Sequence, residues 1–181
     1  MTAYESFPLS RDVIGVLIPA GTKVELPAGA MATVTQALGG SYTVEVDGHL
    51  FRIDGRDGDA LGRSVVEPPA LDADASQDSV EAAAWAQMQT CFDPEIPINI
   101  VDLGLIYECK VETLPEGRRK VNVQMTLTAP GCGMGDVLVN DVREKLLQIP
   151  TVSEVDVQLV FDPQWTREHM SEAAQLQAGF L

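Results

Sequence analysis

The residues best suited to chemistry lie in one loop-like stretch between positions 128 and 136. The stretch reads Thr-Ala-Pro-Gly-Cys-Gly-Met-Gly-Asp, so Cys132 stands between two glycines where a strand-like run gives way to a helix-like run. Glycine permits positive φ angles and lets another group approach the main chain closely. A thiol at a helix N-terminus lies beside unpaired N–H groups and the positive end of the helix dipole, which favours the thiolate. Because the thiolate attacks electrophiles and binds metals, the stretch predicts that Cys132 is the chemical centre of the protein.

The other two cysteines have positions typical of packing. Cys91 falls on the apolar stripe of a predicted helix and Cys109 on the apolar face of a predicted strand, where a small buried hydrophobe is the default. Three cysteines are an odd count that argues against a disulfide framework, and without a Cys-x-x-Cys pair they exclude a closed four-cysteine zinc site within one chain. If Cys132 binds a metal or a cluster, its other ligands must come from carboxylates, a second subunit, a partner protein or a small thiol.

Two carboxylates flank a proline in the loop after the first predicted helix. Pro94 fixes the backbone between Asp93 and Glu95. The two side chains are candidate ligands, but they also fit a turn residue before proline and a solvated charge, and the residues by themselves favour this second interpretation. His49 and His169 each lack a nearby ligand partner in the sequence, which favours structural roles for both.

The elements that must position these residues form an α+β unit in the C-terminal part of the chain. Apolar residues recur at helical and at alternating spacing in the order helix, strand, strand, helix, strand, helix. We expect the helices to pack on a small mixed sheet, giving an αββαβα domain. The predicted elements are helix 79–91 capped by Asp78 or Ser79, antiparallel strands 103–111 and 121–127, helix 134–149, strand 155–161, and a last helix from Thr166 to about 178. Trp165 could cover a pocket or cap the core, and its position after the last strand favours core capping.

The N-terminal third predicts a small β module. Strand-like runs at 13–18, 31–36, 42–46 and 50–53 are separated by turn residues, and many short strands with frequent turns are typical of a small barrel or sandwich. The chain from about Asp54 to Asp78 is rich in Asp, Gly, Pro, Ala and Ser, a composition typical of a linker. The predicted domains are therefore 1–66 for the β module, 67–78 for an acidic Pro/Ala-rich linker, and 79–181 for the α+β unit.

The composition limits the possible partners. The 181 residues include 27 acidic and 12 basic ones, so the formal net charge is −15. This charge argues against nucleic acid and against an anionic membrane as partners. It fits basic or metal-loaded partners, but the charge by itself favours a protein that is simply soluble and acidic. The sequence has no long apolar run and no signal-like start, which predicts a cytoplasmic protein.

Three motifs taken together resemble the SufT family of iron–sulfur cluster assembly proteins. They are DPEIPINIVDLGLIY at 93–107, TLTAPGCGM at 126–134 and DPQWT at 162–166. The core domain of that family is similar to the eukaryotic cytosolic iron–sulfur targeting factor and to the phenylacetate-degradation accessory protein PaaD. The resemblance covers about Val80 to the C-terminus, and the N-terminal β module resembles, through less specific motifs, the extension seen in SufT proteins. PaaD-like chains carry further C-terminal cysteines, and this chain has none after Cys132.

The resemblance implies a non-enzymatic role in the assembly, carriage or transfer of iron–sulfur clusters. Position by position, Cys132 matches the reactive or ligand cysteine of the family, and Asp93 and Glu95 match its acidic loop. The resemblance thus implies a metal site formed by these three residues. The implied cargo is a labile iron–sulfur cluster or iron, and the implied partners are recipient apoproteins and other iron–sulfur assembly proteins.

One thiolate per chain cannot hold a cluster firmly, since such clusters usually take four protein ligands. Two chains that bring their Cys132 loops together could share one labile cluster, completed by carboxylates or a small thiol, so we expect a homodimer.

Two other functions remain open. One is a cluster-free adaptor that bridges apoproteins to the assembly machinery. The other is a thiol enzyme that uses Cys132 as its nucleophile, although no histidine stands near it in the sequence.

Overall fold

The computed structural model describes residues 5–93, 96–131, 133 and 135–180. The chain divides into two compact units, the first extending to Pro68 and the second beginning at Pro69. Each unit has its own hydrophobic core, and no residue belongs to both cores. Within the described ranges, no helix combines the length and the apolar character needed to cross a membrane.

The first unit is built on one six-stranded antiparallel sheet with the strand order β1-β4-β5-β6-β2-β3. The four strands expected from the sequence are present, and the two short edge strands β1 and β3 are additional. Their short runs of three and four residues show too little alternation to be recognised. Whether the sheet closes as a barrel stays a prediction. The strands are β1 Ser6–Pro8, β2 Val13–Ile18, β3 Lys23–Leu26, β4 Met31–Leu38, β5 Ser41–Val46 and β6 His49–Asp54.

Two tight turns link the central strands of this sheet. Gly39 and Gly40 join β4 to β5 with φ angles of 62° and 72°, and Asp47 and Gly48 join β5 to β6 with φ angles of 51° and 78°. Positive φ at both central residues is the geometry that two-residue hairpin loops favour, because its twist matches that of the strands. Gly-Gly and Asp-Gly are residue pairs typical of such loops, so the turn residues that separate the predicted strands fit the observed turns.

The segment after β6 is a 3₁₀ helix, Gly55–Leu61, and the prediction that linker-like chain begins near Asp54 was wrong. Ala60 and Leu61 are buried in the core of the first unit. The Arg11 guanidinium pairs with Asp57 at 2.8 Å and with Asp59 at 2.7 Å, and it holds the pKa of Asp59 below its usual range. Two apolar side chains and one arginine thus anchor a segment whose overall composition is polar.

The second unit has the expected order of helices and strands around a small mixed sheet. The sheet order is β7-β8-β9, with β7 antiparallel and β9 parallel to the central β8. α1 contacts β7 and α2, and α2 contacts β9, so both long helices pack on the sheet. The elements are α1 Gln77–Met88, β7 Ile106–Thr113, β8 Arg119–Met125, α2 Gly135–Leu147, β9 Val152–Leu159 and α3 Glu172–Gln177.

Several predicted boundaries of the second unit were wrong by a few residues. α1 is capped by Ser76, whose side chain accepts the Ser79 N–H at 3.2 Å, rather than by Asp78 or Ser79. β7 begins only at Ile106, because the preceding residues form a turn in which Gly104 has a φ of 73°.

The expected last helix is divided into two pieces. A short 3₁₀ turn, Arg167–His169, comes first, and α3 follows after Ser171. The Ser171 N–H donates to the Asp102 carbonyl at 2.8 Å, so a tertiary bond replaces a helical one at this point. The Ser171 side chain accepts the Ala174 N–H at 3.2 Å and starts the new helix.

Candidate functional site

Of the three residues predicted to bind metal, the structure describes Asp93. Glu95 and Cys132 lie outside the described residues. The proximity of the acidic loop to the Cys132 sulfur therefore stays a prediction.

The chain on either side of Cys132 is exposed. Directly after β8, the Thr126 N–H donates to the Leu105 carbonyl at 2.8 Å and continues the backbone pairing by one hydrogen bond. The chain then reaches the surface. Gly131, with a φ of 77°, and Gly133 are both exposed. A Cβ added to either would meet no atom within 4 Å among the described residues other than its chain neighbours. α2 begins at Gly135, where a Cβ would fall 2.9 Å from the Leu127 side chain. The loop thus runs from the end of β8 directly into the N-terminus of α2.

The loop that contains Asp93 is held by bonds from side chains to the backbone. Asp93 is half-buried, and its Oδ1 accepts the Ile96 N–H at 3.1 Å. Asn99 Oδ1 accepts the N–H groups of Val101 and Asp102 at 3.0 and 2.9 Å, and its amide donates to the Asp102 carboxylate at 2.7 Å. The hydrogen bond made by Asp93 is typical of a turn residue, which agrees with the interpretation of Asp93 as a turn residue before proline. A carboxylate has about four lone-pair sites, so this bond is compatible with metal ligation.

The other two cysteines are core residues, as predicted. Cys91 is 0% exposed and Cys109 is 7% exposed. Burial, together with the negative charge of Glu81, raises the pKa of Cys109 to about 12. Since the thiolate is the form that binds metal, Cys109 is a poor ligand at neutral pH. In the part of the chain that the structure describes, no three His, Cys, Asp or Glu side chains are grouped closely enough to hold a metal ion.

Residues distant in sequence meet at the end of the small sheet. A bulge in β7 leaves Tyr107 out of register, and its hydroxyl donates to the Pro163 carbonyl at 2.8 Å. The Tyr107 ring stacks on the His169 ring with centroids 5.6 Å apart. His169 therefore packs against another side chain, which agrees with the structural role predicted for it. No local sequence pattern indicates its contact with Tyr107, because the two residues lie far apart in the chain. Trp165 packs on the core as predicted and donates its indole N–H to the Leu103 carbonyl at 2.7 Å.

Comparison with known proteins agrees with the motifs. A family model described as iron-sulfur cluster assembly protein matches residues 81–157, which lie within the second unit. A "Fe-S protein maturation auxiliary factor" from Porphyromonas gingivalis is 46% identical over 94 residues, which make up 52% of this chain and 86% of the relative. The "Fe-S protein maturation auxiliary factor SufT" from Staphylococcus aureus is 40% identical over 87 residues, which make up 48% of this chain and 94% of the relative. The chain belongs to the SufT family of iron–sulfur cluster assembly proteins.

A solved structure supports the fold of the SufT-family part. The crystal structure of a domain of unknown function from Bacillus anthracis is similar to this chain with a TM-score of 0.51 and 32% sequence identity. The similarity covers 58% of this chain and 96% of the Bacillus anthracis domain. The resemblance inferred from the three motifs is thus confirmed at the level of the family.

Proposed function

We propose that this SufT-family chain is an iron–sulfur protein maturation factor that carries clusters, or helps to transfer them to recipient apoproteins, through a labile site at Cys132. The observation that supports this most is the open surface on both sides of Cys132. Gly131 and Gly133 are exposed, and apart from their chain neighbours no atom of the described residues lies within 4 Å of a Cβ added to either one. A cluster that is to be passed on needs such access. The N-terminus of α2, which begins three residues later at Gly135, would also favour a thiolate.

The cluster is the cargo of this site, and one chain does not offer enough ligands to retain it. Iron–sulfur clusters are usually held by four protein ligands, whereas the loop contributes a single cysteine. We propose a homodimer that brings two Cys132 loops together, with Asp93 and Glu95 or a small thiol completing the coordination. A mixed set of two thiolates and hard carboxylate oxygens binds the cluster weakly, which suits release to a recipient.

Anaerobic reconstitution with ferrous iron and sulfide tests this proposal. We expect the wild-type protein to gain the visible absorption of a cluster, with one cluster for each pair of chains, and Cys132→Ala to gain none. Cys109→Ala is the matched control, because it removes a thiol that is buried and protonated at neutral pH. Asp93→Asn and Glu95→Gln should release iron faster to a chelator. Equal cluster loading of wild type and Cys132→Ala would contradict the proposal.

A cluster-free adaptor is the second candidate, and the outer face of the first unit favours it. Ile14 on β2 and Leu50 on β6 are 48% and 40% exposed, and both strands belong to the same sheet. An adaptor would leave the purified protein free of iron after reconstitution, and Cys132→Ala would capture recipient apoproteins as well as wild type does. The same pair of variants therefore distinguishes the two functions.

A further inference from the structure

A cleft of about 490 Å³ opens at the end of the small sheet. Part of its wall comes from β7 and β8, and part comes from the segment that follows β9. Gln124 lies on the exposed face of β8, because its neighbours Val123 and Met125 point into the core. The wall of the cleft includes Gly104, Tyr107, Gln124, Asp162, Pro163 and His169.

Some polar groups of this cleft make no bond to the rest of the described chain. Neither the Asp162 carboxylate nor the Gln124 side-chain amide has a hydrogen-bond or ion-pair partner among the described residues. His169 Nδ1 accepts the Thr166 N–H at 3.0 Å, so the proton of the neutral ring resides on Nε2, which is a donor. The cleft thus combines one carboxylate, one amide and one imidazole donor around the Tyr107 ring.

The charge of the cleft favours a cation. Asp162 is the charged side chain in its wall, and the described residues that line it include no lysine or arginine. The two lysines on the exposed face of the adjoining sheet stand beside carboxylates of their own. Lys110 pairs with Glu108 at 2.7 Å, and Lys120 lies between Glu112 and Glu154 in the strand register. A planar guanidinium can bond a carboxylate with two N–H groups and also stack on an aromatic face. The His169 and Gln124 donors are suited to the carbonyl groups of a peptide backbone.

We propose that this cleft binds an arginine side chain, with its flanking backbone, from a partner polypeptide. Asp162 receives the guanidinium, Tyr107 and His169 provide the stacking surface, and Gln124 and His169 Nε2 bond the backbone carbonyls. The volume lies in the range of roughly 300–1,000 Å³ that is common for ligand sites. The inference goes beyond the proposed function, because it concerns a partner contact that does not depend on cluster binding at Cys132.

The test is an NMR titration of the metal-free, full-length protein with a capped pentapeptide that has arginine between two pairs of glycines. The matched probe has citrulline, which keeps the shape of arginine and lacks its charge. We expect saturable shifts of the amide signals of Gly104 and Tyr107 and of the Gln124 side-chain amide. The citrulline peptide should bind roughly two- to fivefold more weakly, the change expected for one partly exposed charge pair.

Two variants with the same change in net charge make the result specific. Asp162→Asn should weaken arginine-peptide binding by the same roughly two- to fivefold factor. Glu154 is exposed on β9 and does not line the cleft, so Glu154→Gln should leave the binding unchanged. Shifts that do not saturate, or equal binding by the two variants, would overturn the proposal. Because no cluster is loaded in this titration, a negative result would not contradict the function proposed for Cys132. Likewise, failed cluster reconstitution would not contradict arginine binding in the cleft.

Discussion

Gly104 keeps the segment after β9 in place through the absence of a side chain. Its φ is 73°, and a Cβ added there would fall 2.0 Å from the His169 carbonyl oxygen. Two requirements therefore coincide at this position, a left-handed backbone and close contact with another main chain. The close approach lets the His169 ring reach Tyr107 and forms one wall of the cleft.

Replacing Gly104 by alanine should destabilise the second unit strongly, and Gly117 offers a matched control. Gly117 has nearly the same φ, 72°, but an added Cβ would meet no described residue within 4 Å beyond its chain neighbours. We expect Gly117→Ala to cost about 1–2 kcal/mol from backbone strain alone. Gly104→Ala should cost about 1–3 kcal/mol more, because a backbone carbonyl must move. Urea unfolding followed by tryptophan fluorescence measures both, and equal losses would show that the contact at Gly104 is not tight.

Among the elements, α2 connects the proposed site to the core. Its stripe of Leu138, Val142 and Leu146 is buried as the helical spacing predicts. The helix contacts both α1 and β9. The start of α2, where the Cys132 loop ends, thus belongs to a helix that is packed against two other elements of the second unit.

Neighbouring leucines at the end of α2 measure how much this packing contributes. Leu146 is 0% exposed and Leu147 is 44% exposed, although both have the same side chain in the same helix. Leu146→Ala should lower the free energy of unfolding by about 2–5 kcal/mol, because a buried cavity remains. Leu147→Ala should change it by roughly 0.5 kcal/mol or less, as for a surface substitution. Similar losses for the two variants in urea unfolding would mean that α2 is packed differently.

In the molecule as a whole, the two units have the features of independent folding domains. Their hydrophobic cores share no residue. The family match at 81–157 lies entirely in the second unit, and the Staphylococcus aureus relative is covered to 94% by a match to only 48% of this chain. A polypeptide without a counterpart of the first unit can therefore exist in this family.

A fragment of residues 69–181 should fold alone. Trp85 and Trp165, the two tryptophans of the chain, both pack against the core of the second unit, so tryptophan fluorescence reports on that unit. We expect the fragment and the full chain to have the same urea midpoint by this signal. A fragment midpoint well below that of the full chain would show that the first unit stabilises the second.

The family, the order of elements in the second unit, the four longer strands of the first and the two buried cysteines could all be predicted from the amino-acid sequence. Periodicity and turn chemistry are local properties, so residues close in the chain suffice to reveal them. Other features became evident only in the folded chain: Gly55–Leu61 joins the core of the first unit, β7 bulges at Tyr107, and His169 stacks on that ring. These features depend on contacts between segments far apart in the chain, such as Gly104 against His169, and no spacing within either segment encodes them.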